Sequence, residues 1–349
     1  MASLHQISDE IKFVLKWGGI LVGIFTVGVI LLRVGNTIKE YISPTPPSPP
    51  TVTFGKLPKV SFVDSSLLVN PTFTIDTTTG KLPTFPDRAK VFTVKKIEPT
   101  LLAFETAQKN VTRLGFTTKG TAITEVLYQW NEPLEPLRTL KLNIVTYNFD
   151  VTSNFYSNSS VTSAQGLPDE KEATEIVNRF LNDLGNSPED IDTEKTKTKL
   201  YSIRGQELIP STSFSNTQII SIDLYQKDID GLPVYYSSPT TSAMRFLVGG
   251  IKTKGEVVEA NFFHNVVNDE SATYPLKTAD EAFEELKSGK GAIVSYSGAD
   301  SHISIKKVFL AYYADNKEQD FFMPIIVFEG ENDFYAYISA IKDEWTQSN

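Results

Sequence analysis

Chemistry in a protein needs nucleophiles, bases or metal ligands at workable spacings, and this 349-residue chain offers few. Cysteine is absent, which removes thiol nucleophiles, thiolate metal sites and disulfides together. Three histidines remain. His5 lies near the N-terminus, His264 ends the strand-like run Asn261-Phe262-Phe263-His264, and His302 closes Ser297-Gly298-Ala299-Asp300-Ser301-His302. That last stretch holds Ser, Asp and His. A triad needs convergent geometry rather than adjacency, and the composition predicts a turn-rich loop. Asp228-Ile229-Asp230-Gly231 falls short of a calcium loop and predicts a hairpin turn. Neither a P-loop nor a His-Glu-x-x-His pattern occurs. No catalytic, cofactor-binding or metal-binding residue is assigned, and the expectation is a protein without enzymatic activity or cofactor. A carboxylate pair of the glycosidase kind stays open as an alternative, because sequence does not show which carboxylates meet.

Aromatic clusters are the other candidates. Tyr312-Tyr313, Phe321-Phe322 and the pair Tyr335 and Tyr337 suit a platform for carbohydrate or peptide. Alternation along strands sends at least half of them into a core. Charge narrows the partners. The residues after Pro50 carry 29 Lys and Arg against 39 Asp and Glu. A body this acidic repels phosphate backbones, so nucleic acid is not expected as a partner.

The elements that position these residues begin with an anchor. Trp17 to Leu32 is an uncharged apolar run, bracketed by Lys16 and Arg33 and extended by Phe13-Val14-Leu15. About twenty residues cover the ~30 Å hydrocarbon core. The run ends in Leu31-Leu32-Arg33-Val34-Gly35 without a small-x-small cleavage site, so an uncleaved anchor is expected rather than a cleaved signal. Residues 1–12 form the cytoplasmic tail and 13–34 the single membrane helix, with Phe13, Trp17, Leu21, Phe25 and Leu32 as anchor residues in membrane lipid. Lysine and arginine are balanced across the helix, and the long C-terminal part decides the topology: N-terminus in the cytoplasm, the rest outside the cell membrane. Gly19 and Gly23 form a small-xxx-small pair that lets two helices approach, which makes a homodimer through the membrane helix a further expectation. Prolines 44, 46, 47, 49 and 50 follow, and residues 43–58 read as an extended, stiff linker.

Beyond the linker the pattern is α+β. Pro71–Asp76 and Ala89–Val94 read as two strands with a turn-rich connection, and Thr139–Tyr147 alternates like a strand with one buried face. Helical periodicity appears three times, over Leu101–Leu114, from Pro168-Asp169 to Leu184, and from Thr278 to Gly289, each closed by glycine. Thr278 and Glu281 have capping-box spacing. A helix followed by strands, three times over, predicts tandem subdomains at 59–165, 166–272 and 273–343, each a short helix on an antiparallel sheet. In the third, strands are expected near 305–313, 322–329 and 334–340. One parity class of their residues should meet the helix, and Leu286 and Phe283 should share its buried side.

Ile222-Asp223-Leu224-Tyr225-Gln226-Lys227-Asp228-Ile229-Asp230-Gly231-Leu232-Pro233-Val234-Tyr235 resembles the core hairpin of PepSY-type domains. Leu276 to Ala340 resembles the same unit as it occurs in YycH/YycI-type regulatory proteins. Ala282 and Leu286 match on the helix, followed by Val308–Tyr313 and Met323–Gly330. Ala311 stands where that family has Gly, and its Trp is missing. The resemblance covers about residues 168–341. It implies a single-pass membrane protein whose extracytoplasmic domains bind or regulate another envelope protein, such as a sensor kinase, a peptidase or a wall-synthesis component. A module that binds envelope polymer or peptide, and a carboxylate hydrolase, are the alternatives.

Overall fold

The structure, a computed structural model, describes residues 17–18, 25–29, 33, 49–63, 68, 70–134, 136–252 and 254–347. The chain divides into two compact units, residues 1–49 and 50–349. In the first, Trp17, Gly18, residues 25–29 and Arg33 are helical, and Trp17 and Phe25 are exposed. The rest of the expected membrane helix lies outside the described residues, including Phe13, Leu21, Leu32 and the pair Gly19 and Gly23. Among the described residues no helix is long and apolar enough to cross a membrane.

The second unit is α+β and strand-rich. In chain order it contains β1 (Thr72–Ile75), β2 (Arg88–Val94), α1 (Ala103–Arg113), β3 (Thr121–Ala122), β4 (Leu127–Asn131), β5 (Thr139–Asn143), β6 (Phe149–Thr152), α2 (Ser159–Thr162) and α3 (Glu170–Leu184). There follow β7 (Ile191–Arg204), β8 (Glu207–Pro210), β9 (Ile219–Gln226), β10 (Val234–Tyr236), β11 (Met244–Ile251), β12 (Lys254–Phe262) and β13 (Val267–Pro275). The chain ends with α4 (Ala279–Lys287), β14 (Ala292–Ser295), β15 (His302–Ala314), β16 (Phe321–Gly330) and β17 (Tyr335–Ser339).

The three helices expected from periodicity are present, and their ends follow local chemistry. Asp169 caps α3 by accepting from Glu172 N at 2.8 Å, and Gly185 closes it at φ +78°. Thr278 and Glu281 form the expected capping box on α4. Before α1, Leu101 and Leu102 stay outside as an exposed turn, because leucine has no side-chain acceptor for the free amides.

The strands form two sheets. The first has nine, in the order β3-β4-β5-β6-β12-β11-β9-β7-β8, all antiparallel. One face packs on α1 and α3: Val111, Val177, Phe180 and Leu184 share a cluster with Leu142, Phe149, Ile222 and Phe246. Part of the other face is covered by Phe155 and Val161, which pack with Ile219, Leu247 and Val258. Here the segment that follows α2 approaches β11 so closely that a Cβ on Gly250 would lie 2.0 Å from Gln165 O.

The second sheet has eight strands along the path β1-β15-β16-β17-β14. There β10 also pairs with β15, and β2 links β13 to β16. Ala282 and Leu286 of α4 pack with Val308, Leu310, Ile326, Phe328, Ala336 and Ile338. All six are even-numbered, so one parity class meets the helix. The odd class, with Ala311, Tyr313, Ile325, Val327 and Tyr337, forms a separate cluster on the other face. Ile303 and Ile305 join the helix side because a register shift between Ile305 and Lys307 inverts the alternation. Phe283 is half-buried, its ring 6.2 Å from Phe328.

Pairing departs from sequence expectation in several places. β1 and β2 do not pair with each other: β1 runs parallel to β15, and β2 pairs with β13 and β16. The stretch expected as one strand over Thr139–Tyr147 stops at Asn143, whose Oδ1 accepts from Val145 N and Thr146 N and so turns the chain. The 222–235 segment does not form a hairpin. Its tight turn exists, with Asp230 and Gly231 at φ +50° and +78° and Ile229 bridged to Leu232. Its flanks part, however: β9 lies in the first sheet between β11 and β7, and β10 lies in the second, parallel to β15. Strands drawn from 59–165 contribute to both sheets, β1 and β2 to one and β3 to β6 to the other.

Residues expected to end the extended, stiff linker of 43–58 are built into the fold from Thr51. Val52 N donates to Thr273 O, Leu57 N to Trp345 O, and Gln347 N to Leu57 O. Leu57 is fully buried. The two ends of the unit therefore clasp each other.

Candidate functional site

The crossing from β9 to β10 creates the most distinctive site. A cavity of 340 Å³ opens there, lined by Tyr225 and Gln226 of β9, Val234, Tyr235 and Tyr236 of β10, and Lys195 and Lys197 of β7. This volume suits one side chain or one small ring. Two tyrosines of the lining come from the flanks of a single turn, Tyr225 before it and Tyr235 after it. The turn brings them together only because the flanks enter different sheets.

Alternation fixes what β9 presents. Ile220, Ile222 and Leu224 face the helices, so Ser221, Asp223 and Tyr225 take the opposite face. Lys197 and Arg245 are the cross-strand partners of Asp223 in the two neighbouring strands. Arg245 Nε lies 3.7 Å and Lys199 Nζ 3.8 Å from its oxygens. Both cations donate elsewhere, Arg245 Nε to Ser221 Oγ at 3.0 Å and Lys199 Nζ to Thr240 O at 2.9 Å. Asp223 is wholly buried, and neither oxygen accepts a hydrogen bond. Burial pushes its carboxyl above the usual range, and the pull of Arg245, Lys199 and Lys197 only partly offsets that.

Gln226 is set by a second polar group. Its Nε2 donates to Asp190 Oδ2 and to Asn265 O, both at 3.0 Å, and its backbone N donates to Tyr236 Oη at 3.1 Å. His264 Nε2 lies 2.8 Å from Asp190 Oδ1. With its amide nitrogen engaged twice, Gln226 keeps Oε1 without a partner, and Tyr225 Oη lacks one as well. Among the described residues five buried side-chain atoms have no hydrogen-bond partner, and four belong to Asp223, Tyr225 and Gln226. Burial raises the pKa of the Tyr225, Tyr235 and Tyr236 phenols, which stay neutral at physiological pH. Lys197 Nζ sits 5.1 Å from the centre of the Tyr225 ring. The lining thus presents neutral phenols, an amide oxygen and a cation, which are groups for recognition.

More than half of the aromatic residues named from sequence lie in a core. Tyr312, Tyr313, Phe322 and Tyr337 are buried, and Phe321 and Tyr335 are half-buried. Tyr335 joins Tyr235 and Phe309 in a half-buried patch, with ring centres 6.3 and 5.4 Å from Tyr235. Tyr235 belongs to both patch and cavity. His302 lies 3.0 Å from Thr72 Oγ1, while Ser297 Oγ donates to Asn332 O, so the Ser-Asp-His stretch does not converge. Asp228 and Asp230 pair with Lys195 and Lys90. Among the described residues no three His, Asp or Glu side chains gather as metal ligands. The sequence signal for the cavity was Tyr225-Gln226 and Val234-Tyr235-Tyr236 on either side of one turn, visible in type but not in spatial relation.

No protein-family model matches the chain, and no curated protein matches it. Similar solved structures include an uncharacterized protein from Eubacterium rectale ATCC 33656, 12% identical, covering 76% of this chain and 86% of that one, with a TM-score of 0.34. They also include the YpeB C-terminal domain of Bacillus megaterium, 10% identical, covering 71% of this chain and 95% of that one, again with a TM-score of 0.34. At such overlap neither likeness assigns a function.

Proposed function

We propose that this chain is a non-enzymatic, membrane-anchored extracytoplasmic protein that binds another envelope protein, taking a peptide segment of it into the tyrosine-lined cavity where β9 crosses to β10. The unpartnered buried Tyr225 Oη and Gln226 Oε1, on two adjacent residues of the cavity lining, carry this reading. Buried polar groups are normally paired, so an orphaned set beside a cavity marks a place where a ligand supplies the missing partners. A peptide backbone offers both donor and acceptor. In this reading residues 13–34 hold the protein in the cell membrane with the N-terminus in the cytoplasm, and the Gly19 and Gly23 pair can join two copies. A PepSY-type fold in the YycH/YycI form belongs to the same proposal, although the nine-stranded sheet runs across residue 165 and both sheets draw strands from either side of it.

The half-buried patch of Tyr235, Phe309 and Tyr335 favours a second reading, stacking of an envelope polysaccharide. Selection from a displayed random-peptide library on the full-length protein in lipid nanodiscs separates the two. Peptides enriched by the parent and lost with Tyr235→Ala and Gln226→Ala support the cavity. Failure to enrich any peptide, together with retention on purified cell-wall sacculi, replaces the peptide reading with the polysaccharide one.

A further inference from the structure

On the helix-free face of the second sheet the chain covers itself. Residues Pro58–Val63 run as an extended strap, with Val60 and Phe62 packed on the cluster of Ala311, Ile325, Val327 and Tyr337. The Phe62 ring centre lies 5.2 Å from Tyr313 and 5.7 Å from Tyr337. The strap fits this seat imperfectly in three respects. No backbone group of Pro58–Val63 is hydrogen-bonded to another described residue, so two side chains hold it. The Tyr313 hydroxyl is buried without a partner, and the apolar Phe62 ring does not supply one. Cavities of 230 and 680 Å³ flank the strap, both lined in part by Lys59 and Val60. The smaller has Asp315, Glu318 and Asp320 in its wall; Asp320 pairs with Lys96 at 3.1 Å, and Asp315 and Glu318 make no ion pair among the described residues, while the charge of Lys59 acts on Asp343 in the wall of the larger cavity.

We propose that this seat takes an extended basic segment of a partner protein, and that Pro58–Val63 is a weak intramolecular stand-in which the partner displaces. The strap shows the required chemistry: a lysine, a branched aliphatic residue next to it and an aromatic ring three residues on. The acidic wall selects the positive charge. An aliphatic and an aromatic side chain two apart reach one face of an extended peptide, as Val60 and Phe62 do. A tethered segment acts at an effective concentration on the order of millimolar, so a modest intrinsic affinity keeps the seat covered until a better occupant arrives. This goes beyond the reading of the β9–β10 cavity, although the two sites adjoin through Tyr337, which touches both Phe62 and Tyr235.

The test uses the full-length protein in nanodiscs and a fluorescent peptide, Pro-Lys-Val-Ser-Phe-Val. The double variant Val60→Ala/Phe62→Ala should bind it at least about tenfold tighter than the parent, because the competing strap is weakened. A peptide with Glu in place of Lys should lose that binding. If the double variant has no cooperative thermal transition, the exposed Lys59→Glu variant decides by the same comparison. Equal affinity of parent and variant, or equal binding of the two peptides, overturns the proposal. Tyr225→Ala should leave this binding unchanged while losing the library peptides that depend on Tyr235 and Gln226, so the two sites fail separately.

Discussion

Asp223 Oδ1 lies 3.7 Å from Arg245 Nε, an ion pair in which neither oxygen of the carboxylate accepts a hydrogen bond. Burying a charge costs more than such a distant partner returns. The folded-state pKa is therefore raised above the unfolded value. The stability linked to this group is fully present below the unfolded pKa and is lost as pH rises through the folded one. Asp223→Asn, which does not ionise, should melt at a higher temperature than the parent at pH 7, and the gap should close toward acid. Thermal midpoints from pH 4 to 8 check this, and a lower midpoint for the variant at pH 7 contradicts it.

Asp190 should behave in the opposite sense. Burial works to raise its pKa, but hydrogen bonds and charge from His264 and a hydrogen bond from Gln226 outweigh it, and the net shift is downward. Its stabilisation is present above the unfolded pKa and lost as pH falls through the folded one. Asp190→Asn should flatten the decline of stability below about pH 4. Urea midpoints between pH 2 and 5 measure that slope, and an unchanged slope rejects the assignment.

Leu286 and Lys287 are neighbours on α4 with different surroundings. Leu286 is 2% exposed in the second core, so Leu286→Ala should cost roughly 2–5 kcal/mol. Lys287 is solvent-exposed, paired with an exposed Glu284 and lying 4.9 Å from the centre of the Phe283 ring. Lys287→Ala should stay within about 0.5 kcal/mol. Equal shifts in denaturation midpoint from the two changes rule out the packing described.

Gly250 is irreplaceable for a steric reason. An added Cβ meets three backbone atoms, Gln165 O at 2.0 Å, Leu167 N at 2.6 Å and Gln165 C at 2.7 Å. Backbone yields less readily than a flexible side chain, and Gly250→Ala should cost about 1–3 kcal/mol or more. Gly18 and Gly28 have nothing within 4 Å of an added Cβ and make poor comparisons for a folded-core effect. Leu57→Ala, which weakens the clasp between the ends of the domain, provides the calibrating loss.

Local chemistry was legible in the sequence, and pairing was not. Asp169, Gly185, Thr278 and Glu281 act within a few residues of themselves, so their positions announced the helices. The parity of the strands from Val308 to Ile338 was likewise readable, except at Met323, which joins the helix side, and where the shift after Ile305 inverted the alternation. The parting of β9 and β10 depends on partners 78 residues away in β15, and nothing near Asp230 encodes it. The cavity was hidden for the same reason. Tyr225 and Tyr235 were plain as aromatic residues, but a hairpin would have placed them side by side in one sheet rather than across a gap between two.

The second sheet recruits strands from both ends of the unit: β1 pairs with residues 302–305 and β2 with residues 321–322. A chain emerging N-terminus first carries β1 and β2 without these neighbours until its last fifty residues arrive. The strands of the first sheet all lie between residues 121 and 262, so that sheet can complete itself earlier. Closure entropy rises only as the logarithm of loop length, so the long separation costs time more than stability. Refolding should therefore show a fast phase reported by Trp130 in the first sheet and a slower one reported by Trp345 beside Leu57. In the interval the unpaired edge of β2 is the segment most in need of protection from aggregation.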